Sequence, residues 1–587
     1  MKKHEVPVAA RGLLRDFAEA GMIRPLDFHL ARRMAQAFGE KRPPVELAFA
    51  LAARELRLGS VCLDLTLASQ LLPESEVDDG LSDAPAAPLA WPEAEAWVDA
   101  VRASDAVSDA DGPSRPFRLV DTLLYLDRYF TDERTVAARL RHRATLPRPA
   151  VADAQLAAVA ERLAAQPDAD QDAAVQTALR NRTTVITGGP GTGKTTTVAR
   201  ILIALSADGS HPRVALAAPT GKAAGRLRGA VAEKLPPQAG LRLWDGTLHK
   251  LLGAAPRRPV PVHHRGNPLP FDAVVVDETS MVSLEHMARL LDAVADGTRL
   301  VLLGDPNQLR SVEAGAVLAD IVETSSLIDG GAGDGVRRLS RNWRSDPAIN
   351  ELSAAILDGD AERCRAVFQA AGQVSFHSFD GALPMASGTV LPDVLGAADA
   401  VIEAARAGDG PRALAALDAH RILCAHREGP YGARVWGRAA RAAIAAEFPG
   451  YGRDMYYVGQ PLLITRNSEQ LSNGDTAVVV RRGDALEAVV DVASGTLRLP
   501  PALLDDAADL HSMTIHKAQG SQFTTVSVVL PPLGSPLAAR ELLYTAVTRA
   551  RQGVRVYGTW AAFAQAVATP VRRASGLGRT IVSERVF

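Results

Sequence analysis

The residues whose types and spacing carry the clearest chemistry are Gly188-Gly189-Pro190-Gly191-Thr192-Gly193-Lys194-Thr195. They follow a β-branched run, Thr183-Thr184-Val185-Ile186-Thr187, and lead into Thr196-Thr197-Val198-Ala199-Arg200-Ile201-Leu202, which reads as a helix. Strand, glycine loop and helix in that order satisfy every fixed position of G-x-x-x-x-G-K-T. Glycines let backbone N–H groups turn inward around a polyphosphate, and the helix N-terminus adds the positive end of its dipole. Lys194 would reach the β- and γ-phosphates, and the Thr195 hydroxyl would ligate Mg²⁺. A Gly-rich turn that binds nothing would need neither the strand before nor the helix after. The stretch therefore predicts a nucleoside triphosphate site.

Three further strand ends carry polar groups suited to such a site. The apolar run Asp272-Ala273-Val274-Val275-Val276 enters Asp277-Glu278, where Asp277 would hold Mg²⁺ through water and Glu278 would polarise the attacking water. Two carboxylates after a hydrophobic strand mean little alone and become specific beside Lys194 and Thr195. The strand Leu300-Val301-Leu302-Leu303 ends in Gly304-Asp305-Pro306-Asn307-Gln308. Gln308 can bond both a γ-phosphate and a neighbouring domain, although a plain polar turn is the alternative. Val214-Ala215-Leu216-Ala217-Ala218 ends in Pro219-Thr220-Gly221-Lys222, and such ends are where open α/β sheets contact ligands.

These elements need a large scaffold. At 587 residues the chain exceeds one hydrophobic core and predicts two to four domains. A formal net charge of −2 gives no overall basic signature, so any nucleic-acid site has to be a local channel. Cys62, Cys364 and Cys424 lie far apart with no C-x-x-C, which argues against zinc or an iron–sulfur cluster and fits a reducing cytosol. The start, Met1-Lys2-Lys3-His4-Glu5, lacks an apolar signal core, and no uncharged run is long enough to cross a bilayer. A cytoplasmic protein with no membrane partner is expected.

Residues 1–150 read as a mainly helical domain, with apolar positions at helical spacing in Leu13-Leu14-Arg15-Asp16-Phe17 and Val45-Glu46-Leu47-Ala48-Phe49. The region carries no catalytic constellation, so partner docking is one reading and a structural lobe the other. Residues 151–335 alternate strand and helix as a parallel α/β domain does, with an insertion at 253–270. Residues 336–587 form a second α/β domain without a phosphate loop, interrupted at 476–510 by a β-rich insertion that reads as a small barrel. Its arginines beside polar turns suit the closing partner of a nucleotide cleft.

In order, the strings GGPGTGKTTT (188–197), APTGKAA (218–224), TLHKLLG (247–253), VVDETSM (275–281), GDPNQLRSVEAG (304–315), NGD (473–475), MTIHKAQGSQF (513–523) and YTAVTRAR (544–551) resemble the superfamily 1 helicases. More closely they resemble the RecD family, alpha subunits of exodeoxyribonuclease V (RecBCD), with SVCLDL (60–65) and LYLDRYFTDERTVA (124–137) as less specific support. The resemblance implies two RecA-like motor domains of the P-loop NTPase type and an SH3-like β-barrel insertion. It implies an ATP-dependent 5′→3′ DNA helicase with ATP and Mg²⁺ as cofactors, acting on double-strand ends in recombinational repair beside RecB-like and RecC-like subunits. Gln171 falls where the family reads adenine, and Trp343 where an aromatic ring stacks on it. Residues Gly188 to Thr196 hold the phosphates. Arg344 and Arg549 match the two arginine fingers, with Lys194, Asp277, Glu278 and Gln308 completing the catalytic set. Thr220, Lys222, Thr247, His249, Thr514 and His516 match the surface that holds single-stranded DNA. PRRPVPVHHRGNP (256–268) lies where the family has a strand-splitting pin, with a basic surface loop as the alternative. Gln522 stands where the family has an acidic residue, so its contact to the ribose would lack charge assistance.

Two other readings stand beside this one. A free-standing helicase of the same group would carry helix-hairpin-helix repeats near its N-terminus, and none is legible before residue 150. An ATP-gated scaffold would need the same nucleotide site without translocation. No carboxylate-plus-lysine cluster outside the motor suggests a nuclease, so exonuclease activity is expected only through a complex.

Overall fold

In the computed structural model the strand Thr183–Thr187 is buried along its whole length. Val185 and Ile186 point to opposite faces and enter two separate apolar clusters, as period-2 alternation requires of a strand covered on both sides. The structure describes residues 6–582 apart from 74–88, 152–167, 208, 237–239, 256–259, 312, 325–334, 371, 382–389, 469, 493–494 and 572.

That strand belongs to a six-stranded parallel sheet ordered Val336–Arg338, Thr183–Thr187, Arg299–Gly304, Ala273–Val276, Arg213–Ala218, Arg242–Thr247. Parallel strands share one C-terminal edge, so the order alone places the phosphate loop, Gln308, the Asp277-Glu278 pair, Thr220 and Thr247 side by side. A second sheet is five-stranded and parallel, ordered Val374–Ser378, Ala550–Gly558, Phe523–Val529, His420–Cys424, Ser512–Thr514. The strand Val336–Arg338 pairs with the first sheet, so the crossing into the second lies at residues 339–346.

The β-rich insertion is a five-stranded antiparallel sheet running from Gly495–Leu499 through Ala485–Val492, Thr476–Arg482 and Pro461–Ile464 to Ala507–Asp509. No ladder joins its two outer strands among the described residues. Val478, Val480 and Val489 pack on helices Leu391–Arg406 and Gly410–Leu417, while Ala477, Val479, Ala488 and Val490 pack with Leu462, Ile464 and Leu504. Both faces are covered, which accounts for the near-continuous valine runs.

The N-terminal region is helical as expected, with Gly12–Glu19, Pro25–Ala37, Pro43–Arg57 and Ala94–Arg102 around one apolar cluster. It also holds a four-stranded sheet of Cys62–Asp64, Leu123–Leu126, Phe117–Val120 and Val107–Ser108. Helix Asp127–Thr145 carries this region onto the first parallel sheet. The buried Arg143 donates to Thr183 Oγ1 at 2.8 Å and to the carbonyls of Arg182, Thr298 and Ala295 at 2.7, 2.7 and 3.0 Å. Each bond neutralises part of the cost of burying the guanidinium.

The C-terminal tail returns from the second α/β domain to both of the others. Ala574 pairs with Val61 and Ser60, Arg573 donates to the carbonyls of Ser311 and Gly315, and Leu577 is fully buried in the core of the first α/β domain. Glu133, on the docking helix, accepts from Tyr125 Oη at 3.1 Å, Ser575 Oγ at 3.3 Å and the Gly576 N–H at 3.2 Å. Burial pushes its carboxyl up to about 7 against those donors, and Asp320 adds repulsion. A raised carboxyl pKa means the folded form prefers the neutral acid, so its stabilising effect is present at low pH and is lost as pH rises through 7. Proteolytic release of the tail is therefore expected to be slower at pH 6 than at pH 8, with Glu133→Gln removing most of the difference. Equal release at both pH values in the unaltered chain would show that this carboxyl does not secure the tail.

Candidate active site

The phosphate loop turns on two glycines, Gly191 and Gly193, both at φ +87°. Such angles are open to glycine and strained for other residues. Space imposes the same choice. A Cβ on Gly191 would lie 2.4 Å from Asn342 Oδ1, and one on Gly193 would lie 2.5 Å from Gln171 Nε2. The Lys194 ammonium, at the start of helix Lys194–Leu205, donates to the carbonyls of Gly188 at 2.5 Å and Gly189 at 3.1 Å. Thr192 Oγ1 donates to the same Gly189 carbonyl at 2.8 Å. Pro190, Thr195 and Thr196 complete the loop and first helical turn beside them. Gln171 is buried against the loop, and its Oε1 has no protein donor among the described residues.

The carboxylates lie two strands away, at the end of Ala273–Val276. Asp277 Oδ1 accepts the Glu278 N–H at 2.8 Å, and Glu278 stands at φ +51°, in the left-handed region. Among described residues only Asp121 shares that conformation without being glycine. A non-glycine residue held there costs on the order of 1–3 kcal/mol, and such strain collects at functional sites. Burial raises the Asp277 carboxyl to about 6, with repulsion from Glu278 adding and attraction to Lys194 opposing. A hydroxyl on Thr195 and this pair of carboxylates are the hard oxygen donors a divalent cation takes. The crowded negative charge on Asp277 is what such a cation would relieve.

The second α/β domain reaches the loop through residues 342–345. The Trp343 N–H donates to the Gly191 carbonyl at 3.0 Å, and Asn342 Nδ2 donates to the Pro190 carbonyl at 3.0 Å. Asn342 Oδ1 accepts from the N–H groups of Arg344 at 2.9 Å and Ser345 at 3.2 Å. One amide thus ties the backbone of Arg344 to the phosphate loop. The Arg344 guanidinium bonds Gln522 Oε1, and burial together with Arg551 and Arg226 lowers its pKa. The Trp343 indole is 51% exposed, donates to Asp168 Oδ2 at 3.2 Å, and has the Arg341 guanidinium 3.8 Å from its ring centroid. One indole face is therefore occupied by a cation–π contact.

Gln308 and Arg549 meet across the cleft. Both are buried, and Arg549 Nη2 donates to Gln308 Oε1 at 2.9 Å. Burial lowers the Arg549 pKa while Glu278 and Asp305 oppose the shift. Gln308 Nε2 donates in turn to Asp305 Oδ2 at 3.1 Å. The structure brings Gln308, Arg549, Arg344 and Gln522 to the same cleft as the phosphate loop. Asn342, Asp305 and Tyr544 are there too, and sequence reasoning did not single them out. Asn342 had one available signal, an amide directly before Trp343 and Arg344, both already marked.

On the first sheet, Thr220 Oγ1 accepts the Ala223 N–H and Thr247 Oγ1 the Lys250 N–H, each at 3.3 Å. On the second, Thr514 Oγ1 accepts the Lys517 N–H at 3.4 Å. All three threonines cap the turn that follows their strand, which is a local role in itself. Lys222 Nζ lies 3.4 Å from Thr476 Oγ1 and 3.8 Å from Asp491 of the insertion, and burial lowers its pKa. His249 Nε2 stands 2.9 Å from His286 Nε2, and burial lowers the pKa of His516. Arg257 and Arg258 of the expected pin lie outside the described residues. His263, His264 and Arg265 follow on a tight turn closed by reciprocal bonds between His264 and Asn267.

Gly191→Ala tests the loop and the crossing residues together, since the added methyl meets Asn342 and the backbone angle becomes strained. ATP hydrolysis should fall roughly a hundredfold or more, with a smaller loss of overall stability. Hydrolysis within a few-fold of the unaltered chain would mean that the loop does not need this close approach.

Residues 166–378 match the family model of an AAA domain, 19–125 that of the RecBCD enzyme subunit RecD N-terminal domain, and 509–557 that of a UvrD-like helicase C-terminal domain. The chain is 43% identical over 585 residues to the RecBCD enzyme subunit RecD of Mycobacterium tuberculosis, covering 97% of each. It is 43% identical to the protein of that name in Mycolicibacterium smegmatis, over 97% of this chain and 99% of the other. The ATP-dependent RecD2 DNA helicase of Deinococcus radiodurans is 31% identical over 63% of this chain and 46% of its own. Among solved structures, the Pif1 helicase of Candida albicans aligns at 16% identity with a TM-score of 0.40, over 69% of this chain and 97% of that one. With such identity along nearly its whole length, and with a phosphate loop facing buried arginine across a cleft, the chain belongs to the RecD family and is an ATP-dependent DNA helicase.

Proposed function

We propose that this chain is the 5′→3′ motor subunit of a RecBCD-type helicase–nuclease, working on double-strand DNA ends with RecB-like and RecC-like subunits. The observation that carries the motor reading is the buried Arg549–Gln308 contact, which joins the two α/β domains beside the phosphate loop. In this reading Lys194 and the loop N–H groups hold the triphosphate of ATP. Gln171 accepts from the adenine amine, and the free face of Trp343 stacks on the base. Thr195 and Asp277 hold Mg²⁺, which supplies charge neutralisation to the phosphates when bound. Glu278 orients the attacking water. Arg344 and Arg549 meet the charge that develops on the γ-phosphate, and Gln308 reports its presence to the second domain.

Cleft closure then moves the strand. Thr220, Lys222, Thr247 and His249 grip DNA from the first domain, and Thr514 and His516 grip it from the second. Nucleotide-dependent approach of the domains becomes a step when the two grips alternate. The antiparallel insertion is read as the SH3-like element of the family, lying over Lys222. The 5′→3′ direction rests on family membership. Docking of the N-terminal region on a partner is supported by exposed apolar side chains, Val8 at 91%, Leu26 at 68% and Leu72 at 77%.

Lys194→Ala is the direct test. DNA-stimulated hydrolysis should fall by about a hundredfold or more with melting unchanged, because a preorganised charge at the phosphates is lost. Hydrolysis within a few-fold of the unaltered chain would remove Lys194 from the site. Replacing the exposed Val8, Leu26 and Leu72 together by polar residues should weaken co-purification with other subunits, and recovery of the same complex would place the docking surface elsewhere.

A further inference from the structure

We propose that Asp305 and Tyr544 are positioning residues that hold the Gln308 amide in one orientation and so seat Arg549. This rests on the roles given above to Gln308 and Arg549. The two ends of a glutamine amide are not equivalent, since one donates and the other accepts. Gln308 is buried between an acceptor, the Asp305 carboxylate at 3.1 Å, and a donor, the Arg549 guanidinium at 2.9 Å. The flipped amide would set N–H groups against the guanidinium and oxygen against the carboxylate. Both contacts would turn repulsive in a buried site, so the Asp305 charge decides which end faces Arg549.

Asp305 is itself held from both domains. Its Oδ1 accepts the Asn307 N–H at 3.0 Å, and its Oδ2 accepts the Tyr544 hydroxyl at 2.9 Å alongside Gln308. Tyr544 lies on helix Arg540–Val547 of the second domain, in the segment that ends at Arg549. Thr545 Oγ1, between them in sequence, accepts the Leu309 N–H at 2.8 Å. Tyr544, Thr545 and Arg549 therefore engage residues 305–309 of the first domain together. The Tyr544 phenol is buried, and burial, with the neighbouring Asp305 adding, raises its pKa well above the ordinary value, which keeps it a donor. The hydroxyl also abuts the phosphate loop, because a Cβ on Gly189 would lie 3.0 Å from it. A carboxylate with donors from both domains is fully satisfied only when the domains have met. Tyr544 and Arg549 engage in the same approach, and Arg549 meets an amide whose orientation Asp305 fixes.

A double-mutant cycle on the full-length chain tests this, using ATP hydrolysis with saturating single-stranded DNA. Tyr544→Phe removes one oxygen and should lower kcat by about fivefold to tenfold while KM for ATP stays within about twofold. Gln308→Leu should lower kcat more, and the combination with Tyr544→Phe should add little, because Tyr544 acts through the amide. Asp305→Asn gives a second arm. Its amide cannot accept from Tyr544, Gln308 and Asn307 at once, so it too should lose kcat and couple to Gln308→Leu. Full multiplication of the separate losses, or a loss confined to KM, would overturn the relay while leaving Gln308 in place. A normal kcat in Gln308→Leu would instead overturn the role given to Gln308, and this inference with it. Should Asp305→Asn fail to fold, the Tyr544→Phe cycle decides alone.

Discussion

A guanidinium buried at Arg549 is costly unless its N–H groups are bonded, and the fold supplies partners from two domains. Its own domain offers the carbonyls of Thr545 and Ser521 at 3.1 and 3.4 Å, and the first domain offers the Gln308 amide oxygen at 2.9 Å. Glu278 and Asp305 add favourable charge from the first domain. Full satisfaction of this one group therefore depends on the two α/β domains standing together. The strand order of the first sheet puts Gln308 and Glu278 beside the phosphate loop, and helix Arg540–Val547 delivers Arg549 to them. Residues 342–345 make the second crossing, where Asn342 and Trp343 bond the loop backbone.

The same logic explains how the outer parts attach. Helix Asp127–Thr145 enters the first motor domain with a buried arginine whose partners are mostly backbone carbonyls. The tail beyond residue 570 starts in the second domain and ends against the first and the N-terminal region, through Arg573, Ala574 and Leu577. The tail thus connects the second domain, by chain continuity and then by hydrogen bonds and packing, to the first domain and the N-terminal region.

Much of this is legible in the amino-acid sequence. Lys194, the loop glycines and the Asp277-Glu278 pair are readable because each residue type is dictated by local chemistry and by a strand before it. Asp305, Asn342 and Tyr544 were not, since their roles exist only through partners far away in sequence. Asn342 meets Pro190 across 152 positions and Tyr544 meets Asp305 across 239. The N-terminal sheet escaped notice because its strands span two to four residues, too few for alternation to register. The strand Pro461–Ile464 lies outside the expected 476–510 insertion, and its place there follows only from its pairing with Thr476–Arg482.

The central claim is that nucleotide binding brings the two α/β domains together across the Gln308–Arg549 contact. All three native cysteines are buried, so single cysteines at the exposed positions Glu233 and Leu533 can carry a spin or dye pair selectively. The distance between them, measured without nucleotide, with ADP and with ADP–aluminium fluoride, reads the cleft directly. The account predicts a narrow distribution with the transition-state analogue and a distinct or broader one with ADP, the difference disappearing in Arg549→Ala. One unchanged distribution in all three states would contradict it.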